Sequence, residues 1–94
     1  MAYNSNYDVK VIEAENVFSR NLGVSGNFNL SIWGTFVATV TLQRSFDSGT
    51  TWLDIATYTA PIEDAGFGYG PAIYRVGVKT GDYTSGTINV RLGQ

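Results

Sequence analysis

Apolar residues recur at every second position through most of this chain, and that period constrains the fold more than any other feature. A period of two places alternate side chains on opposite faces of an extended strand, whereas a helix needs 3.6. In Phe36 to Leu42 the residues Phe36, Ala38, Val40 and Leu42 share one face, with Thr39, Thr41 and Gln43 opposite. Phe28, Leu30 and Ile32 form a second such set, Tyr74, Val76 and Val78 a third, and Ile88, Val90 and Leu92 a fourth. Trp52 to Tyr58 is apolar on both faces, which predicts a central strand covered on both sides. Val9 to Ala14 and Val17 to Arg20 are weaker patterns that suit edge strands.

About seven strands result, separated by turn signals at Gly23 to Gly26, Gly34, Asp47 to Thr50, Pro61 to Pro71 and Gly81 to Gly86. Short strands with glycine-rich turns predict one all-β domain over 1–94, a single antiparallel β-sandwich, Ig-like or jelly-roll-like, or a small barrel. A polar N-terminal arm over about residues 1–8 precedes it. The stretch Ala60 to Ala72, APIEDAGFGYGPA, reads as the one long irregular loop.

Composition removes several kinds of chemistry. The 94 residues hold neither cysteine nor histidine, so disulfides, thiolate metal sites and the commonest general base are unavailable. Six basic residues stand singly against eight acidic ones, with no phosphate-neutralising stripe, so nucleic acid is not an expected partner. No segment approaches the roughly 20 apolar residues of a membrane helix. The start MAYNSNYD lacks an apolar leader pattern and reads as a product made in a cytoplasm. Charged residues make up only 15% of the chain. That is a low share for a free monomer, and it suits a surface packed against copies or partners.

The octet SFDSGTTW, Ser45 to Trp52, fits S-x-D-x-G-x-T-W and resembles the Asp-box of sialidases. In those enzymes the box lies at propeller blade edges, away from the active site. One copy in 94 residues cannot build a propeller. The residues therefore predict turn chemistry. Asp47 accepts main-chain N–H bonds, Gly49 supplies a positive φ, Thr51 pairs at the turn and Trp52 drops into the core. A hairpin between Thr35–Phe46 and Trp52–Thr59 follows, with a loop of three to five residues.

Other clusters are weaker. Glu13 with Glu15, and Glu63 with Asp64, lack a cleft of the kind paired catalytic carboxylates need. Asp82 with Asp47 or Glu63 lacks calcium-loop spacing. GFGYGP, Gly66 to Pro71, lacks the lysine and helix of a phosphate loop and reads as a flexible tip. Neither cofactor nor metal is expected, and no catalytic residue. Exposed aromatics remain as partner anchors: Tyr3 and Tyr7 in the arm, Phe67 and Tyr69 on the loop, and Trp33, which faces away from Phe28, Leu30 and Ile32.

Over roughly residues 28 to 94 the chain resembles small proteins of tailed-bacteriophage structural gene clusters. The residues that carry the likeness are TVTLQRSFDSGTTW at Thr39 to Trp52, YRVGVKTGDY at Tyr74 to Tyr83, and NVRL at Asn89 to Leu92. The resemblance implies a non-enzymatic virion protein: a capsid decoration protein on major capsid subunits, or a neck or tail accessory. It implies homo-oligomers or lattice-bound copies, with no active site. A carbohydrate-binding module using Trp33, Tyr69 and Tyr83 for host adhesion is the alternative.

Overall fold

Strands account for every regular element in the computed structural model, which describes residues 6–94, Tyr69 by its main chain only. They are β1 (Tyr7–Ile12), β2 (Val17–Phe18), β3 (Leu22–Ala38), β4 (Val40–Ser45), β5 (Leu53–Tyr58), β6 (Ile62–Val78) and β7 (Tyr83–Gly93). All pairings are antiparallel, in the order β1-β7-β3-β6-β4-β5, with β2 added to β6. The all-β antiparallel class predicted from the sequence is the fold observed.

The two 17-residue strands make a sandwich from one continuous sheet. β3 and β6 pair along most of their length and turn a corner together. The register steps from Val24 opposite Ala72 to Gly26 opposite Gly68, so Ser25 alone faces Tyr69, Gly70 and Pro71. Gly26 at the bend has φ +97°, a value that a side chain would resist. Before the corner, β6 lies beside β3 and beyond it β7 and β1. After the corner, β6 lies between β4 and the short β2.

The alternation is what closes the two layers. Leu22, Val24, Phe28, Leu30, Ile32, Val40, Leu42, Tyr74, Val76, Val78, Ile88, Val90 and Leu92 all point inward and are buried, joined by Ile12. Each branched side chain so buried contributes about 1.5–3 kcal/mol. Phe28 and Tyr74 meet at a ring separation of 5.2 Å near the corner.

Several sequence expectations need correction. Ala60 to Ala72 is not a loop, because residues from Ile62 onward belong to β6. Gly66 and Gly68 hid the alternation there. An added Cβ would strike the Phe28 ring at Gly66, and the Tyr74 hydroxyl at Gly68. The run Phe36 to Leu42 is two strands, broken at Thr39, whose N–H bonds Asp82 O at 2.8 Å. Gly34 and Gly86 sit inside strands, not between them. β5 is an edge strand with Leu53 and Ile55 exposed, not a central one. The expected arm gives Tyr7 and Asp8 to β1, where Arg20 holds the Tyr7 carbonyl and the Asp8 carboxylate accepts from the Arg20 N–H.

Candidate docking face

The register of four strands assembles one outward face. Tyr7, Gly93, Asn29 and Ala65 form one row across β1, β7, β3 and β6. Val9, Arg91, Ser31 and Glu63 form the next, and Val11, Asn89 and Trp33 the third. Phe67, opposite Asn27, extends the face at the other end. From the Trp33 row to the Phe67 row is about 20 Å, and four strands span about 15 Å.

Large apolar groups on this face are open to solvent: Tyr7 43%, Val9 47%, Val11 53%, Trp33 43% and Phe67 58%. Between them lies a hydrogen-bonded polar grid. Arg91 Nη1 donates to Asn29 Oδ1 at 2.8 Å, and its guanidinium carbon lies 4.9 Å from the Tyr7 ring centre. Ser31 Oγ donates to Glu63 Oε1 at 2.7 Å. These bonds tie the polar side chains to one another between the aromatics.

Three of the five aromatics nominated from sequence, Tyr7, Trp33 and Phe67, thus share one face although they come from three strands. Tyr3 lies outside the described residues. Tyr69 lies in β6 opposite the bulge at Ser25. Tyr83 is not on this face: its hydroxyl donates to Gly86 O at 2.7 Å and its ring packs against the core. Sequence reasoning missed Val9, Val11 and Arg91. Their signal was the Tyr7, Val9, Val11 alternation, which mattered only once β1 was placed beside β7.

The octet forms the turn its residues predict. Asp47 Oδ1 accepts from Thr51 N–H at 2.8 Å and from Ser45 Oγ at 2.7 Å. The Thr51 N–H bond first, then the Ser45 hydroxyl, hold the Asp47 carboxyl down at about 2. Gly49 has φ +92° and its N–H donates to Ser45 Oγ at 2.8 Å. β4 and β5 pair as the predicted hairpin. The turn is longer than expected, since Ser45 and Leu53 bound it.

Trp52 corrects the sequence reading. It is half-buried and outside the core, stacked on the outer side of the second layer. The Arg75 guanidinium carbon lies 4.1 Å from the Trp52 ring centre and 4.0 Å from that of Phe18. Arg75 Nε donates to Gln43 Oε1, Gln43 Nε2 to Asp54 Oδ1, and Lys79 Nζ to Asp54 Oδ2. Lys79 and then Gln43 lower the Asp54 pKa, and burial lowers that of Arg75. This chain of contacts covers β4 from outside, which is why Thr41, Gln43 and Ser45 are buried.

The carboxylate pairs do not converge. Glu13 accepts from Thr87 Oγ1 and Glu15 from Gly81 N–H. Glu63 bonds Ser31 while Asp64 bonds the Tyr58 hydroxyl. Among the described residues no group of three or more histidine, cysteine or acidic side chains could hold a metal ion. Comparison with protein-family models, curated proteins and solved structures returns no match for this chain.

Proposed function

We propose that this chain is a non-enzymatic structural protein of a tailed-bacteriophage virion, a capsid decoration protein that docks on major capsid subunits. The observation that carries the docking half of this reading is the outward face of β1, β7, β3 and β6. It gathers Tyr7, Trp33, Phe67 and Arg91, the residue types that dominate interface hot spots. The virion half is supported by the sequence likeness carried by Thr39 to Trp52, Tyr74 to Tyr83 and Asn89 to Leu92.

The size of the face sets the mode of binding. About 20 Å by about 15 Å is near 300 Å² of patch, well below the roughly 800 Å² per partner of a standard stable pair. One such contact is weak. Repeated copies on a lattice, each spanning neighbouring capsid subunits or touching its own kind, reach stable occupancy through avidity.

Quantitative mass spectrometry of purified particles tests the reading, with the major capsid protein as the internal count. Copy numbers comparable with the capsid protein support decoration. Tens of copies or fewer move the protein to the neck or tail. Complete absence from the particle overturns the virion assignment.

A further inference from the structure

The sheet begins at β1, which has β7 on one side and no paired strand on the other. Asn6 O accepts from Gln94 N–H at 3.0 Å. In an antiparallel ladder the even-numbered residues of β1 therefore bond β7, and the odd-numbered ones aim N–H and C=O at the open side. The Tyr7 carbonyl follows that parity, turning outward to accept from Arg20 Nη2 at 2.9 Å. Among the described residues nothing bonds the outward main chain of Val9 or Val11. Side chains alternate with the same period. Tyr7, Val9 and Val11 lie on the docking face, and Asp8, Lys10 and Ile12 on the opposite one. Asp8 Oδ2 accepts from Arg20 N–H at 2.9 Å, while Oδ1 lies 3.9 Å from Arg20 Nε. Lys10 is exposed and belongs to no ion pair among the described residues.

We propose that β1 pairs with β1 of a second copy of this chain, antiparallel, about a two-fold axis at Val9. Charge selects the register. With the axis at Val9, Asp8 faces Lys10 of the second copy, and Lys10 faces Asp8. Tyr7 then faces Val11, and Val9 faces Val9. One step either way puts the axis at Asp8 or at Lys10, where like charges face each other. An axis at Val11 sets Lys10 against Ile12 and Val9 against Glu13, so neither charge is met. The Val9 register also joins odd-numbered residues to odd-numbered ones, whose N–H and C=O groups already point outward. Tyr7 O keeps a second lone pair beside Arg20 for the incoming Val11 N–H. A lysine on an edge strand commonly guards against pairing. Asp8, two residues away, makes that guard permissive in one register only, so the strand is its own complement. The β5 edge of another copy offers a single charge, Asp54, which Lys79 and Gln43 already hold. Pairing sets the two docking faces side by side as one surface of about 600 Å², twice that of one copy. The proposal thus builds on the docking face and not on the virion reading. A six-residue edge buries far less than the roughly 800 Å² per partner of a stable pair, so the expected Kd is about 0.1–1 mM.

Sedimentation equilibrium of the full chain, up to about 2 mM, reads the association directly. Lys10→Glu is expected to weaken it about tenfold or more with the melting temperature unchanged, since Lys10 has no ion-pair partner within the chain to lose. Asp8→Lys weakens it likewise. An equimolar mixture of the two variants regains association, because every facing pair is again opposite in sign. The chain has no cysteine, so one introduced cysteine reports the axis. Facing Cα atoms of a bonded antiparallel pair lie about 5.5 Å apart, within disulfide reach. Mild oxidation therefore links Val9→Cys into a covalent dimer faster than Val11→Cys. A monomer at every concentration, association untouched by Lys10→Glu, or equal linking of Val9→Cys and Val11→Cys each overturns the proposal. Association lost in Trp33→Ala but kept in Lys10→Glu would mean that the two faces stack on each other, which also overturns it. A dimer without copies in the particle would refute the virion reading and leave the edge pairing standing. Copies in the particle from a strictly monomeric chain would do the reverse.

Discussion

Gly66→Ala is expected to destabilise this protein, and the reason lies under the strand. A methyl group at that position falls 2.5 Å from Phe28 Cζ, 2.9 Å from Cε2 and 3.1 Å from Cε1. Carbon atoms rest at about 3.5–4.0 Å, so the ring must retreat by roughly 1 Å. On the Tyr74 side it has little room, since that buried ring lies 5.2 Å away. Overpacking of this kind costs about 1–3 kcal/mol. Replacing a strand glycine by alanine returns about 0.5–1 kcal/mol of backbone entropy. The net loss is about 1–2 kcal/mol, or roughly 4–16 °C in Tm for a domain of this size. In a Phe28→Leu background the ring is gone, so the same substitution becomes neutral or stabilising by up to about 1 kcal/mol. Urea unfolding of the four proteins closes a double-mutant cycle with a coupling of about 2 kcal/mol. Effects that add within about 0.5 kcal/mol would refute the contact. A neutral Gly66→Ala in the native background would go further and return GFGYGP to a loop.

Gly49→Val costs about 1 kcal/mol or more through φ alone, since a Cβ there meets only ordinary contacts at 3.5 Å; an unchanged unfolding midpoint contradicts the turn. Asp47 is depressed from 3.8 to about 2, so the stability it contributes is complete above pH 4 and lost as pH falls through about 2. The gap between native and Asp47→Ala urea midpoints should therefore narrow between pH 4 and pH 2, and a constant gap contradicts the assigned bonds. Arg75→Ala removes two stacked cation–ring contacts and costs about 1–2 kcal/mol; near-UV circular dichroism of Trp52 reports the same loss, and an unchanged signal speaks against the stack. Trp33→Ala leaves the melting temperature nearly unchanged while lowering particle occupancy, whereas a loss above about 2 kcal/mol would make Trp33 structural.

Much of this architecture was legible in the residues. Period-two alternation named the inward sets Phe28, Leu30 and Ile32, Tyr74, Val76 and Val78, and Ile88, Val90 and Leu92, and all nine are buried. It did so because burial of one face is a local property of a strand. The turn at Ser45 to Trp52 was equally local, since Asp47, Gly49 and Thr51 bond within a few residues of each other. Other features depended on partners distant in sequence. Ile62 to Gly68 looked like a loop because Gly66 and Gly68 carry no side chain to alternate. Their glycines answer to Phe28 and Tyr74, which only the β3–β6 pairing brings beneath them. Trp52 seemed a core residue until Arg75 and Phe18 gave it a surface to stack on. The candidate site followed the same division. The sequence by itself nominated Tyr7, Trp33 and Phe67 as partner anchors, and alternation gave a direction to Trp33 alone, away from Phe28, Leu30 and Ile32. Only the antiparallel register of β1, β7, β3 and β6 decided that they point from one face, because strand pairing joins residues up to 86 positions apart, as Tyr7 is from Gly93 (93 − 7 = 86).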